Sequence, residues 1–248
     1  MQTYYTKWFS PALGRDMEIK VWGHAGRPVL FIPCQDGRFY DFENYKMTDV
    51  WGPWIENGQC MVFSIDTMDL ETYSAKHDAY ERIQRHEQWM AYIVNEVAPF
   101  VRALTNDRNG WTGTPGIVTF GCSLGATHAA NLFFRFPDAF DGVLALSGIY
   151  DSEYGFPGYM DESVYRNSPV HYLNDMPSHH PYVEKYNSHK AVIVVGQGPW
   201  EIPDSTFRLR DICQEKGIRA WFDVWGHDVK HDWDWWYKQC EYHIPHVL

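Results

Sequence analysis

The chain has 248 residues, 21 Lys and Arg against 32 Asp and Glu, and a formal net charge of −11. That length fits one domain spanning 1–248, and the acidic balance argues against a nucleic-acid surface and against an anionic membrane surface. No apolar run approaches bilayer length, the start MQTYYTKWFSPALGRD lacks a signal-peptide core, and five scattered cysteines read as reduced thiols, so a cytoplasmic protein is expected.

In chain order, TYYTKWFS and DMEIKVWG alternate as strands joined by a turn at Pro11–Gly14, an N-terminal antiparallel pair. VLFIP is a continuous apolar run, the pattern of a strand buried on both faces, and it ends in the polar loop Cys34–Arg38. A short helix over about Thr48–Glu56 leads to a second buried strand, CMVFSID. The clearest helix runs from about Asp78 to Leu104, with Ile83, Met90, Ile93, Val94, Val97, Val101 and Leu104 on one face, and His86 close to it as a structural residue. A loop over Thr105–Pro115 then delivers the chain to the strand GIVTFG.

Gly121-Cys122-Ser123-Leu124-Gly125 follows that strand and opens the helical pattern ATHAANLFFRF. A β-branched run entering G-x-S-x-G and leaving in helix formers has the form of a nucleophile elbow. The serine sits on a strained turn so tight that side chains two residues to either side would collide, hence glycine at both. It also stands at a helix N-terminus, where free N–H groups favour an anion. Cys122, one residue before the apex, is expected to point into the fold as a small buried residue.

VLALSG is the next strand, ending in Gly148–Asp151. Residues 151–190, rich in Tyr, Pro, His and Asn and weak in periodicity, read as a lid-like or irregular insertion. AVIVVG, a helix through Gln214, IRAWFDVWG and a C-terminal helix reaching at least Tyr242 complete the chain. Strands alternating with helices imply an α/β fold with a mainly parallel central sheet and helices on both faces. The 12 Trp, 16 Tyr and 14 Phe point to an aromatic core and leave a homo-oligomer open.

A serine hydroxyl is a weak nucleophile until an imidazole takes its proton, and the imidazole needs an acid to fix its tautomer. In this fold the order along the chain is serine, acid, histidine. WGHDVKHDW supplies His227 and His231; their spacing also resembles a metal pair, with Asp228 and Asp232 as extra ligands, but no further ligand set accompanies them. After AVIVVG come Glu201 and Asp204. Asp204 reads as the N-cap of the following helix, which favours Glu201, with Asp66 and Asp151 as outsiders.

At these residues the chain resembles the esterase D-like group of α/β hydrolases, the Putative esterase family, over most of its length. The resemblance is carried by RPVLFIPCQDGRFYDFENY, GCSLGATHAANLFFRFPDAFDGVLALSGIYD, VVGQGPWE and WGHDVKHDWDWWYKQ. The family's catalytic histidine tends to precede Asp-Trp, with a second aromatic three residues after that Trp. This implies His231, before Asp232-Trp233 and Trp236, over His227. It supports Glu201 as the acid, where members more often carry Asp. The first strand–loop of such enzymes usually ends in His-Gly, and here Pro33-Cys34 stands in its place. By position the oxyanion donors are the backbone N–H groups of Gln35 and Leu124. The resemblance implies a serine carboxylic-ester hydrolase acting through an acyl-enzyme on small acyl esters, acylated carbohydrates included, with a small-molecule ester as its expected partner and no metal or organic cofactor. An acyltransferase using the same site, and a non-catalytic binding protein on the same fold, are the alternatives.

Overall fold

The computed structural model describes residues 1–113 and 116–248. Strands β1 (Thr3–Ser10) and β2 (Arg15–Trp22) form the antiparallel N-terminal pair. Strand β3 (Arg27–Ile32) leads through short helices α1 (Asp41–Asn44) and α2 (Met47–Glu56) to β4 (Cys60–Ile65). Then follow α3 (Ala79–Tyr92), α4 (Ala98–Asn109), β5 (Ile117–Cys122), α5 (Leu124–Arg135) and β6 (Phe140–Leu146). Helices α6 (Glu162–Arg166), α7 (Pro169–Asp175) and α8 (Pro181–Ser188) precede β7 (Lys190–Val195), α9 (Pro203–Lys216), β8 (Trp221–Val224) and α10 (Trp233–Val247).

The strands form one sheet in the order β1-β2-β4-β3-β5-β6-β7-β8. β2 pairs antiparallel with β4, and every pair from β4–β3 to β7–β8 is parallel. This is the α/β-hydrolase architecture expected from the sequence. β4 and β5 are buried at every residue, which is why they read as unbroken apolar runs rather than alternating ones. One face of the sheet packs under α3, α4, α5, α7 and α9, with Trp89, Val97, Phe133 and Leu209. The other packs under α2 and α10, with Trp51, Ile55, Trp236 and Ile244. After β3 the chain moves outward to β4 and then returns to lay β5 on the other side of β3. That reversal opens a crevice at the C-terminal ends of β3 and β5, where open α/β sheets hold ligands.

The long helix expected over Asp78–Leu104 is two helices joined by a π-helical turn at Ile93–Val97. Pro99 explains the join, since it has no N–H to give the carbonyl one turn earlier and the wider turn absorbs the gap. Asp78 caps α3, accepting the Glu81 N–H at 3.1 Å. Helix α4 then continues to Asn109, so the loop expected from Thr105 starts only at Gly110; its last two residues, 114 and 115, lie outside the described residues.

The stretch 151–190 carries three short helices and is fastened to the helices beneath it. Arg82 of α3 donates to the carbonyls of Gly155 at 2.8 Å and Thr72 at 3.1 Å. Arg135 of α5 grips both oxygens of Glu87, at 2.6 and 2.7 Å, and reaches Asn167 at 3.1 Å. Among the described residues no helix is long and apolar enough to cross a membrane.

Candidate active site

Strand β5 ends at Cys122 and α5 begins at Leu124, so Ser123 alone makes the turn, at φ 57° and ψ −130°. A Cβ on Gly121 would stand 2.3 Å from the carbonyl carbon of Gly125, and one on Gly125 would stand 2.3 Å from the Ile32 carbonyl oxygen. Both glycines are therefore demanded by contact, and the second lets the start of α5 lie against the end of β3. Cys122 is fully buried on the α2/α10 side of the sheet, and burial drives its thiol pKa well upward. Cys34, beside the crevice, is likewise pushed up to about 12 by burial. Neither thiol is a nucleophile at neutral pH.

His231 lies in the loop between β8 and α10, and its Nε2 is 2.9 Å from Ser123 Oγ. The imidazole sits edge-on to the Trp236 ring at a centroid distance of 4.9 Å, which accounts for an aromatic residue one and a half turns along the chain. The loops after β7 and β8 are laced together by their backbones: Gln197 N–H to Gly226 at 3.2 Å, Gly198 N–H to Val229 at 2.8 Å, and His231 N–H to Pro199 at 3.0 Å. That lacing sets Glu201 beside His231. The Glu201 side chain is 1% exposed, and its Oε2 is 3.5 Å from His231 Nδ1. Neither atom has a hydrogen-bond partner, so the pair is adjacent and unbonded in this state.

The other Glu201 oxygen is occupied. Ser147 Oγ donates to Oε1 at 2.7 Å, and Trp236 Nε1–H donates to Ser147 Oγ at 3.0 Å. Ser147, the residue after β6, is a site residue that the sequence reading missed; the available signal was a serine ending a parallel strand at the ligand-binding edge. Together these bonds fix the carboxylate so that Oε2 faces the imidazole.

The remaining candidates are placed elsewhere. His227 is exposed, and no bond links it to Ser123. Asp204 is exposed and is the second residue of α9, not its cap: Ile202 is the N-cap, because Pro203 takes the first helical position. Asp66 is bound to Arg38 at 2.8 Å and to the Phe39 N–H at 2.8 Å. Asp151 caps the turn at Ser152–Tyr154 and pairs with Arg208 at 2.7 Å. Among the described residues no group of three or more His, Cys, Asp or Glu side chains is gathered as a metal site.

Gln35 follows β3 in a turn closed by the Gly37 N–H on the Cys34 carbonyl at 2.9 Å. It is the second residue of that turn, whose closing bond does not use its N–H. Leu124 is the first residue of α5, a helix whose N-terminus has no side-chain cap. A cavity of about 110 Å³ is lined by Ser123, Leu124, Thr127, Ser147, Ile149, Tyr154, Trp200, Ile202 and His231. Tyr154 comes from the 151–190 stretch and Trp200 stands next to Glu201. Trp200 is 85% exposed and held at φ 69°. Among the described residues five non-glycine positions have positive φ, and four of them, Asp36, Ser123, Ser147 and Trp200, are at this site or one residue from it. Strain of this kind concentrates where geometry is imposed for function.

A family model described as "Putative esterase" matches residues 10–241. A search among curated protein sequences gives no match. Among solved structures, a ferulic acid esterase superposes with a TM-score of 0.74 at 17% identity, covering 99% of this chain and 97% of that one. An S-formylglutathione hydrolase from Agrobacterium tumefaciens gives 0.69 at 13% identity, covering 99% and 95%. The S-formylglutathione hydrolase FrmB from Staphylococcus aureus gives 0.65 at 14% identity, covering 98% and 96%. At these identities the likeness is one of fold.

Proposed function

The chain belongs to the Putative esterase family, and on that premise we propose that it is a serine carboxylic-ester hydrolase acting through an acyl-enzyme on esters of small acyl groups, acylated carbohydrates among them. The observation that carries the reading is the 2.9 Å contact between His231 Nε2 and Ser123 Oγ inside a cavity. His231 takes the hydroxyl proton as Ser123 attacks the ester carbonyl, and the backbone N–H groups of Leu124 and Gln35 receive the oxyanion. The alkoxide then leaves with the proton from His231. Water, deprotonated by the same imidazole, releases the acid and restores Ser123.

Glu201 steadies the imidazolium without taking its proton. Its free oxygen, 3.5 Å from Nδ1, is well placed to close to a charge-assisted bond of about 2.8 Å once the ring is charged. A cavity of about 110 Å³ is well below the 300–1,000 Å³ typical of pockets that enclose a drug-sized ligand. It therefore suits a short acyl group, with the alcohol half on the rim formed by Tyr154, Trp200 and Ile202. Five unpaired cysteines favour a reducing compartment such as the cytoplasm.

The test is a series of p-nitrophenyl esters with a fluorophosphonate probe. Acetyl and propionyl esters should be the best substrates, the probe should label wild type and not Ser123→Ala, and His231→Ala should abolish turnover while His227→Ala keeps it. Turnover by Ser123→Ala, or preference for octanoyl over acetyl esters, refutes the reading.

A further inference from the structure

A buried acid–imidazole pair lies outside the residues given a role above. Asp69 and His128 are each 1% exposed, and His128 Nε2 is 3.0 Å from Asp69 Oδ1. His128 projects from α5, one turn after Leu124, and its ring is enclosed by Tyr73, His86 and Trp89 at centroid distances of 5.0–5.2 Å. Asp69 opens the single helical turn that follows β4. A buried pair of this kind does little for stability relative to an apolar pair of the same shape, so its second contact is informative.

That second contact is with the loop carrying Gln35. The other oxygen of Asp69, Oδ2, accepts the backbone N–H of Asp36 at 3.3 Å. Asp36 is the third residue of the Cys34–Gly37 turn and has φ 61°. A turn with positive φ at that position alone ordinarily calls for glycine or asparagine there. Asp36 stays in it because both its backbone and its side chain are held. Ser74 Oγ donates to Asp36 Oδ1 at 2.6 Å, and the Ser74 N–H is held by the Asp69 carbonyl at 2.8 Å. Gln35 joins the same knot: its Nε2 donates to Ser74 Oγ at 2.7 Å, and its Oε1 accepts from Tyr154 at 3.2 Å.

We propose that Asp69 and His128 are positioning residues for the oxyanion site: the pair ties the Cys34–Gly37 turn, and with it the Gln35 N–H, to the same helix whose first residue supplies the Leu124 N–H. This rests on the ester-hydrolase reading. The two donors come from segments about ninety residues apart in sequence, and an oxyanion site works only if both are fixed before charge develops. Contact between Gly125 and the end of β3 sets how closely the segments approach. The Asp69–His128 pair sets how the turn is rotated on that contact, by holding the peptide N–H immediately after Gln35.

Such a role has a signature that loss of packing lacks. The oxyanion exists only in the transition state, so a displaced donor lowers kcat and leaves KM nearly alone. The experiment uses Asp69→Ala and Ser74→Ala with p-nitrophenyl acetate, beside the affinity of each variant for a trifluoromethyl ketone, which forms an oxyanion on Ser123, and for acetate, which does not. Removing one oxyanion donor typically costs about 10²–10³ in kcat. Asp69→Ala should therefore lose about 100-fold in kcat, with KM within about threefold, and should weaken for the ketone by the same factor while acetate binding holds. Ser74 is half-buried, and Ser74→Ala tests the side-chain part of the same knot; Asp69→Asn, which keeps the buried shape and removes the charge facing His128, carries the test of the pair even if Asp69→Ala does not fold, and a tenfold fall in kcat is expected for each. Asp36→Gly, which adopts the turn unaided, should restore part of the kcat lost in any of these variants. Folded variants with kcat within threefold of wild type, or a rise in KM without loss of kcat, overturn the proposal. Ser123→Ala separates the two readings: if it retains turnover, the hydrolase reading falls and the positioning role with it; if it is inactive, a negative result on Asp69 and Ser74 removes only the positioning role.

Discussion

The backbone at Ser123 makes a prediction about stability that is independent of any substrate. At φ 57° and ψ −130° the residue sits close to a region open essentially only to glycine. Ser123→Ala and Ser123→Gly both delete the hydroxyl and its contact with His231, so that loss cancels when the two are compared. What differs is the strain, about 1–3 kcal/mol for a residue with a Cβ, against the extra freedom of glycine in the unfolded chain, about 0.4–1 kcal/mol. Ser123→Gly should therefore be more stable than Ser123→Ala by about 1–2 kcal/mol. For a chain of this size each kcal/mol moves the melting temperature by about 2–4 °C, so the gap should be about 2–8 °C. Calorimetry or thermal circular dichroism on the two inactive variants reads it directly. An alanine variant melting at or above the glycine variant would show that the elbow is not strained, and the argument for an imposed serine geometry would fail.

Three other outcomes are expected. Glu201→Gln should lower kcat by about 10³-fold or more, as loss of the orienting acid does elsewhere, whereas Asp204→Asn, on an exposed helix turn, should change it less than twofold; equal effects would remove Glu201 from its role. Burial first, then His128 and Arg135, holds the His86 imidazole well below its ordinary pKa. The unfolded chain then binds a proton at His86 that the folded chain refuses, so this contribution is full above about pH 6.5 and is lost as pH falls below it, by up to about 1.4 kcal/mol per pH unit. Urea midpoints from pH 7 to 5 should fall less steeply in His86→Phe than in wild type; identical slopes would contradict it. Trp200→Gly, which removes an exposed ring and suits the left-handed backbone, should raise KM several-fold for phenyl or sugar acetates and leave methyl acetate unchanged, as steady-state kinetics on the paired substrates would show.

What could be read from the sequence was set by local rules. β-branched runs buried on both faces and Gly121 and Gly125 around the serine are short patterns with near-neighbour causes, and they located the sheet and the elbow; the family resemblance at Asp232-Trp233 and Trp236 then pointed to His231, the imidazole found beside Ser123. Helices α6, α7 and α8 have five, seven and eight residues, too few turns for an apolar stripe to show, so the stretch read as irregular. The π-helical turn was hidden because Pro99 lies where a second helix could equally begin. Ser147, Tyr154 and the Asp69–His128 pair were out of reach for a different reason. Their significance comes from contacts between segments 33 to 119 residues apart, and beyond the place of Ser147 at a strand end nothing in their own neighbourhood marks them.

The four left-handed residues explain why the site stands on this sheet. Positive φ at a residue with a Cβ costs about 1–2 kcal/mol, less for Asp and more for a ring as large as Trp. Four such residues, Asp36, Ser123, Ser147 and Trp200, together represent several kcal/mol against a net stability of about 5–15 kcal/mol for an ordinary domain. A loop alone would relax out of these conformations. Here Ser123 and Ser147 follow directly on strands β5 and β6, Asp36 lies in the turn a few residues after β3, and these strands are packed on both faces; Trp200 belongs to the loop after β7, whose backbone bonds to that of the loop after β8. The buried strands cannot shift without opening the core, so the strain stays at their ends. Ser123, Ser147 and Trp200 are thus held around one cavity by a structure whose cohesion lies beneath them.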